Sequence, residues 1–315
     1  MRKVLTKAYF GSTDRIDIDD LLYQEAIIAR TNLGYISLLE EKFDIMHENF
    51  LEFEECILML TARTMHFYLT FPDHSHEMRS LIDRRIINFL ASGKMYTEQA
   101  RNFILKAFGR KSKELITFDE TIRNLKENSF GFNFCDYLRD FALHVNNPIY
   151  TIGFLGEREE TEKGNYVYFC ITPFIRLSSL LEDKQLPKEI HKELKLVLGV
   201  DDEFEVRPFL ETYLAGLGNI QETVRGLIAP DIERWEAVYT TIFNLVKDNF
   251  EDKSLTSIFI GNEKANASLS EGYRITQNTI EHRKILVKKN NTQNLGNLGY
   301  VNNRIRNKIR TRKGS

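Results

Sequence analysis

Between residues 17 and 148 apolar side chains recur at three- and four-residue spacing, and that period restricts the first half of the chain to packed helices. The spacing predicts helices over 17–30 (through Leu21, Leu22, Ala26 and Ile27), 31–48 and 50–69, a turn at 71–76, and further helices over 78–92, 98–108 and 119–128. The period then changes once. Segments 149–155 and 166–171 alternate like strands around a polar turn, Gly156 to Gly164, which predicts a hairpin packed beside the preceding helix. Helical spacing returns over 187–198, 208–228 and 231–249, the last carrying the only tryptophan, Trp235. The expected fold is mainly α, a helical bundle with an added β-hairpin and a C-terminal helical region. The expected divisions fall at 1–148, 149–250 and 251–315.

A chain of 315 residues has length for a sizeable core in one or two domains. Its 22 phenylalanines point to aromatic-rich helix packing. Cys56, Cys135 and Cys170 are widely spaced and odd in number, which suits reduced thiols in a cytoplasm and gives no metal-ligand spacing. The N-terminus, Met1 to Lys7, lacks the apolar run of a signal peptide. The most apolar segment, Cys56 to Phe71, is interrupted by Arg63 and His66, so no membrane span is expected.

Charge is unevenly placed. Arg283, Lys284, Lys288, Lys289, Arg304, Arg306, Lys308, Arg310, Arg312 and Lys313 share residues 282–315 with no acid. Of 43 basic residues, taking away these ten leaves 33 against 45 acidic ones in the body. A basic arm on an acidic body is the pattern of an RNA-binding tail. A solubilising tail, or one docked on its own protein, fits the same charges. The arm is rich in Asn and Gly, so little burial and a flexible segment are expected.

The densest chemistry lies at 133–145. Phe134, Tyr137, Leu138, Phe141, Ala142 and Val145 form one apolar stripe; Gly131 marks a break before the helix, and Asn147-Pro148 ends it. Asp140 and His144 lie about 40° apart around the axis, and Arg139 about 100° from Asp140. His144 falls in the last turn, where the helix dipole favours its protonated form. A plain i,i+4 surface pair, with Arg139 bridging back to Asp136, accounts for the same letters.

The stretch Cys135 to Ile149, with Arg139, a polar Asp140 directly after it and His144 five positions on, resembles the R-x4-6-H motif of the HEPN superfamily. Upstream, Asp83 to Tyr96, with Asn88 and Ser92, is similar to the helix before the motif helix in bacterial members. By order and spacing of helices the resemblance covers roughly residues 15 to 150. It implies a HEPN-like domain over 1–148 and a homodimer in which two motif helices line one cleft. It also implies metal-independent, cofactor-free cleavage of RNA: His144 as base, Arg139 neutralising phosphate, Asp140 orienting one of them. A toxin or anti-phage role, with an antitoxin or defence-system partner, would be typical of such a family. The alternative is a non-catalytic helical dimerisation or RNA-binding module.

Other motifs carry less. Asp73, His74 and His76 form a helix-start loop short of the ligands that a closed metal site needs. Gly216-Leu217-Gly218 follows no strand and lacks the rest of a phosphate loop, which leaves a helix break or a close-packing point.

Overall fold

The computed structural model describes residues 2–7, 14–67, 75–161, 164–198, 201–250, 256–264, 269–290, 292, 295 and 311–312. It is mainly helical, as the periodicity predicts, with antiparallel strands added. Eight helices are found among the described residues. The three segments expected over 17–69 merge into one, α1 (Asp20–His66). No proline interrupts it, and Leu22 N–H donates to Asp19 Oδ1 at 2.7 Å to cap its start. The helices expected over 78–92 and 98–108 likewise form one, α2 (Ser75–Phe108). Gly109, at φ 91°, ends α2 in the left-handed conformation that glycine adopts freely. Of the expected turn at 71–76, residues 71–74 lie outside the described residues, Asp73 and His74 among them, and Ser75 and His76 open α2.

Next come α3 (Lys113–Asn128) and α4 (Phe130–His144), then the hairpin of β3 (Thr151–Thr161) and β4 (Gly164–Arg176). Its antiparallel register runs from Thr151 opposite Phe174 to Thr161 opposite Gly164. Two hydrogen bonds tie the hairpin and its lead-in to α1 and α2. Ile171 N–H donates to Thr61 Oγ1 at 3.1 Å, and Ile149 N–H to Asp83 Oδ1 at 2.9 Å. After α5 (Leu177–Leu181), α6 (Lys188–Leu198) and β5 (Glu203–Glu205), α7 runs unbroken from Arg207 to Asn249. Pro230 sits inside α7, where a break was expected. Proline removes one helical hydrogen bond, yet Val224, Ile228, Ile232, Trp235 and Tyr239 continue a buried stripe past it.

The region after 250 is not wholly a tail. It supplies β6 (Ser257–Glu263), β7 (Leu269–Thr276) and α8 (Asn278–Lys289). With β1 (Arg2–Lys7) and β2 (Ile16–Asp17) these strands form a sheet of order β2-β1-β6-β7. Ile258 and Ile260 are buried alternately, a strand signal too short to stand out beside the basic arm.

The chain divides into two compact units. The first comprises Met1–Glu41, Gln99–Ile116 and Thr223–Asn290. It holds the β2-β1-β6-β7 sheet, with Val4, Leu5, Ile258, Ile260 and Ile275 buried, and the Phe108–Trp235 ring pair. Arg225 donates to both oxygens of the buried Glu40, at 3.0 and 2.6 Å.

The second comprises Lys42–Glu98, Thr117–Glu222 and Asn291–Ser315. It holds a sheet of order β3-β4-β5-β8, with β8 at Thr311–Arg312. Its core is aromatic, as the phenylalanine content suggested: the Phe134, Phe204 and Phe209 rings meet one another with centroids 5.0 to 5.9 Å apart. Phe132 and Phe89 both meet Tyr213. Within this core Arg207 Nε lies 3.1 Å from Glu54 Oε1, both side chains buried.

Candidate functional site

The motif helix α4 begins one turn earlier than its stripe suggests. Ser129 Oγ accepts from Phe132 N–H at 3.4 Å, a serine N-cap. Gly131, expected as a break, is buried inside the helix, and a Cβ there would stand 2.8 Å from Thr212 Cβ on α7. Its lack of a side chain serves close helix packing. Gly216 does the same from the α7 side, facing the Phe132 ring, so the close-packing alternative is the one found. The stripe buries Phe134, Tyr137, Leu138 and Phe141. Val145 leaves it: the residue lies past the last turn and is 50% exposed. Backbone N–H groups of Val145 and Asn146 both donate to Phe141 O, closing the helix before Pro148.

Arg139 and Asp140 pair on α4, and His144 stands in its last turn. Arg139 Nη2 lies 2.9 Å from Asp140 Oδ1, so Asp140 holds the guanidinium. Arg139 Nε is buried and without a hydrogen-bond partner. The backward bridge to Asp136 is not made; Lys126 donates to Asp136 Oδ2, and Lys94 Nζ stands 3.5 Å from Oδ1. Burial alone would raise the Asp136 pKa. The Lys126 hydrogen bond and the charges of Lys126, Lys94 and Arg139 outweigh it and hold the carboxyl below its ordinary range. His144 is exposed.

Asp140 and His144 line a cavity of about 470 Å³ in the second unit, and Arg139 is not among its lining residues. Asp136, Lys126 and Asn133 contribute from α3 and α4, and Asp183, Gln185 and Pro187 from the segment between α5 and α6. Tyr137 ties the two sides together, its hydroxyl donating to Asp183 Oδ2 at 2.9 Å. Burial, then that bond to a carboxylate, raises the pKa of the phenol, so it stays a donor. The sequence reading missed Lys126, Asn133, Asp183 and Gln185 because they sit on separate elements and share no spacing.

The three thiols are buried, and for two of them burial opposes ionisation. Burial pushes Cys56 up to about 11 and raises Cys135 as well. Neither is a nucleophile near neutral pH.

Of the basic arm, Arg283 and Lys284 already have a partner on α7, lying 2.6 and 2.9 Å from the two oxygens of Glu236. Burial would raise the Glu236 pKa, but the hydrogen bonds from Lys284 and Arg283 bring it below its ordinary value. For these two cations the docked alternative describes what is found. Lys288 and Lys289 are exposed in the last turn of α8. The backbone of Arg312 lies in β8 opposite Glu203. Arg304, Arg306, Lys308, Arg310 and Lys313 lie outside the described residues.

Among the described residues no helix is long and apolar enough to cross a membrane. The chain matches no family model, no curated protein and no solved structure.

Proposed function

We propose that this chain is a metal-independent endoribonuclease of HEPN type, working without a cofactor in a cytoplasmic setting. One observation carries the reading: Asp140 holds the Arg139 guanidinium and shares the wall of one cavity with His144, whose imidazole is open to solvent. In this reading His144 acts as general base and removes the proton from a ribose 2′-hydroxyl. The 2′-oxygen attacks the adjacent phosphorus, the bond to the 5′-oxygen breaks, and that oxygen takes a proton from water, giving a 2′,3′-cyclic phosphate and a 5′-hydroxyl while His144 gives up its proton to solvent. Arg139, oriented by Asp140, offsets the charge that builds on the phosphoryl oxygens. A homodimer would bring a second Arg139 and His144 to the same RNA. A toxin or anti-phage role, with an antitoxin or another defence component as partner, suits such an activity.

The test is incubation of the purified protein with total RNA in EDTA, followed by end-group analysis. Cyclic phosphate ends absent from the His144→Ala reaction support the reading; intact RNA refutes it. Light scattering checks the dimer.

A second reading, a non-catalytic dimerisation or RNA-binding module, draws on one observation. Arg139 is already engaged with Asp140 and its Nε is buried. On that reading Arg139→Ala lowers stability and changes no chemistry.

A further inference from the structure

We propose that the cavity beside α4 is a base pocket that takes an unpaired guanine next to the bond cut; this rests on the ribonuclease reading above. The cavity, about 470 Å³, lies within the usual range for small-molecule sites and has room for a planar base. Its charge argues against a phosphate inside it. Asp136, Asp140 and Asp183 all line it, and the one lining lysine, Lys126, is already bound to Asp136. A neutral group rich in donors suits such a lining.

Among the bases guanine offers that edge. Its N1–H and N2–H groups lie side by side and match one carboxylate through two parallel hydrogen bonds. Adenine and cytosine present a single amino group on that edge, and uracil presents mostly acceptors. Asp183 is the carboxylate placed to read it. Tyr137 O–H and Gln185 N–H already donate to its two oxygens, at 2.9 Å each, which fixes the plane of the group. Each carboxylate oxygen accepts a second hydrogen bond. Asn133 and Gln185 add amides that can meet the remaining polar atoms of the base, and Phe141, Pro187 and Ile190 give it an apolar wall. With the base held there, the sugar lies towards His144 at the helix end.

Unpaired RNA is read in this way, by Watson–Crick edges in pockets, whereas a duplex hides them. A cationic occupant, such as a polyamine, is the competing ligand for a carboxylate-lined pocket.

The experiment has two readouts on the full chain. Cleavage ends in total RNA are mapped for the wild type and for Asp183→Asn, which keeps an acceptor for Tyr137 and replaces one acceptor oxygen with a donor. Gln185→Ala serves as a second variant should Asp183→Asn not fold. Separately, the His144→Ala protein is titrated with guanosine, uridine and spermidine. We expect guanine at one fixed position beside the cut, a preference that falls at least about tenfold in Asp183→Asn, and saturable binding of guanosine over uridine.

Ends without base bias, a bias unchanged by these variants, or binding of spermidine alone would overturn the pocket. Guanosine binding without any RNA cleavage would sink the ribonuclease reading and leave the pocket standing. Cleavage without guanosine binding does the reverse.

Discussion

Gly216 on α7 lies so near the Phe132 ring on α4 that a Cβ at this position would overlap it. Gly131 on α4 meets Thr212 on α7 in the same manner, 2.8 Å from where its own Cβ would be. The motif helix is therefore seated by paired glycine contacts, and its end carries Arg139 and His144. Gly216→Ala should destabilise the protein by about 1–3 kcal/mol, the usual cost of overpacking. Thermal or denaturant unfolding checks it. A melting temperature equal to that of the wild type would show that α4 is free to shift.

His144→Ala and Arg139→Ala should each reduce RNA cleavage at least about a hundredfold, the lower bound for loss of one acid–base or charge-stabilising group. His144 is exposed, so His144→Ala should move the unfolding free energy by less than about 1 kcal/mol, whereas Arg139 is largely buried and Arg139→Ala should cost packing as well. Asp140→Ala should be milder, because Asp140 acts on Arg139. Wild-type cleavage should persist in EDTA. Activity lost to chelator and restored by magnesium would contradict the mechanism, and full activity in His144→Ala would contradict the site.

Asp83 carries the pH dependence most open to test. It is 2% exposed, and burial raises its pKa from 3.8 to about 6, against the lowering pull of the Ile149 N–H bond and the charge of Arg79. The folded state thus binds a proton more tightly than the unfolded state does. The associated stability is fully present below about pH 4 and is lost as pH rises through about 6, at most about 3 kcal/mol for a shift of this size. Asp83→Asn keeps an acceptor for Ile149 and removes the titration. Its stability relative to the wild type should therefore climb between pH 4 and 7. A constant difference across that range would show that the carboxyl is not the source.

The basic arm separates into two groups that mutation can distinguish. Arg283→Ala should cost fold stability, because it removes a partner of Glu236 on α7. Substituting Arg304, Arg306, Lys308, Arg310 and Lys313 with glutamine should weaken RNA binding mainly at low salt. The slope of log affinity against log salt should flatten by roughly 0.7 for each lost phosphate contact. Cutting the chain after Glu281 would be a poor test, since it removes most of α8 with its buried Leu286. An unchanged salt slope in the glutamine variant would assign those cations another task.

Local patterns were readable and long-range pairings were not. The α4 stripe was legible at Phe134, Leu138 and Phe141 because i,i+3/i+4 spacing reports one buried face. It misplaced Val145, since periodicity says nothing about where the last turn closes. The hairpin was legible from its change of period, but β3 and β4 each extend beyond the apolar core of the pattern. Gly131 was read as a break, and the last helices were parted between 228 and 231, because local propensity argues that way; Gly131 packs against α7 instead, and a buried stripe runs past Pro230. At the site, Arg139, Asp140 and His144 share one helix and were visible together. The cavity wall from Asp183 to Ile190 was not, because only folding brings it opposite α4.

The pairing of β1 with β6 sets a clock on biosynthesis. Leu5 lies opposite Ile260, and β1 is an interior strand of its sheet, with β2 on one side and β6 on the other. A ribosome adding 5–20 residues per second makes these partners roughly 10 to 50 s apart. For that interval β1 has one edge without its partner, in reach of other chains or of a chaperone. A nascent chain that stops short of Ser257 can never close this sheet. Completion of the first unit therefore reports that synthesis has passed Thr276.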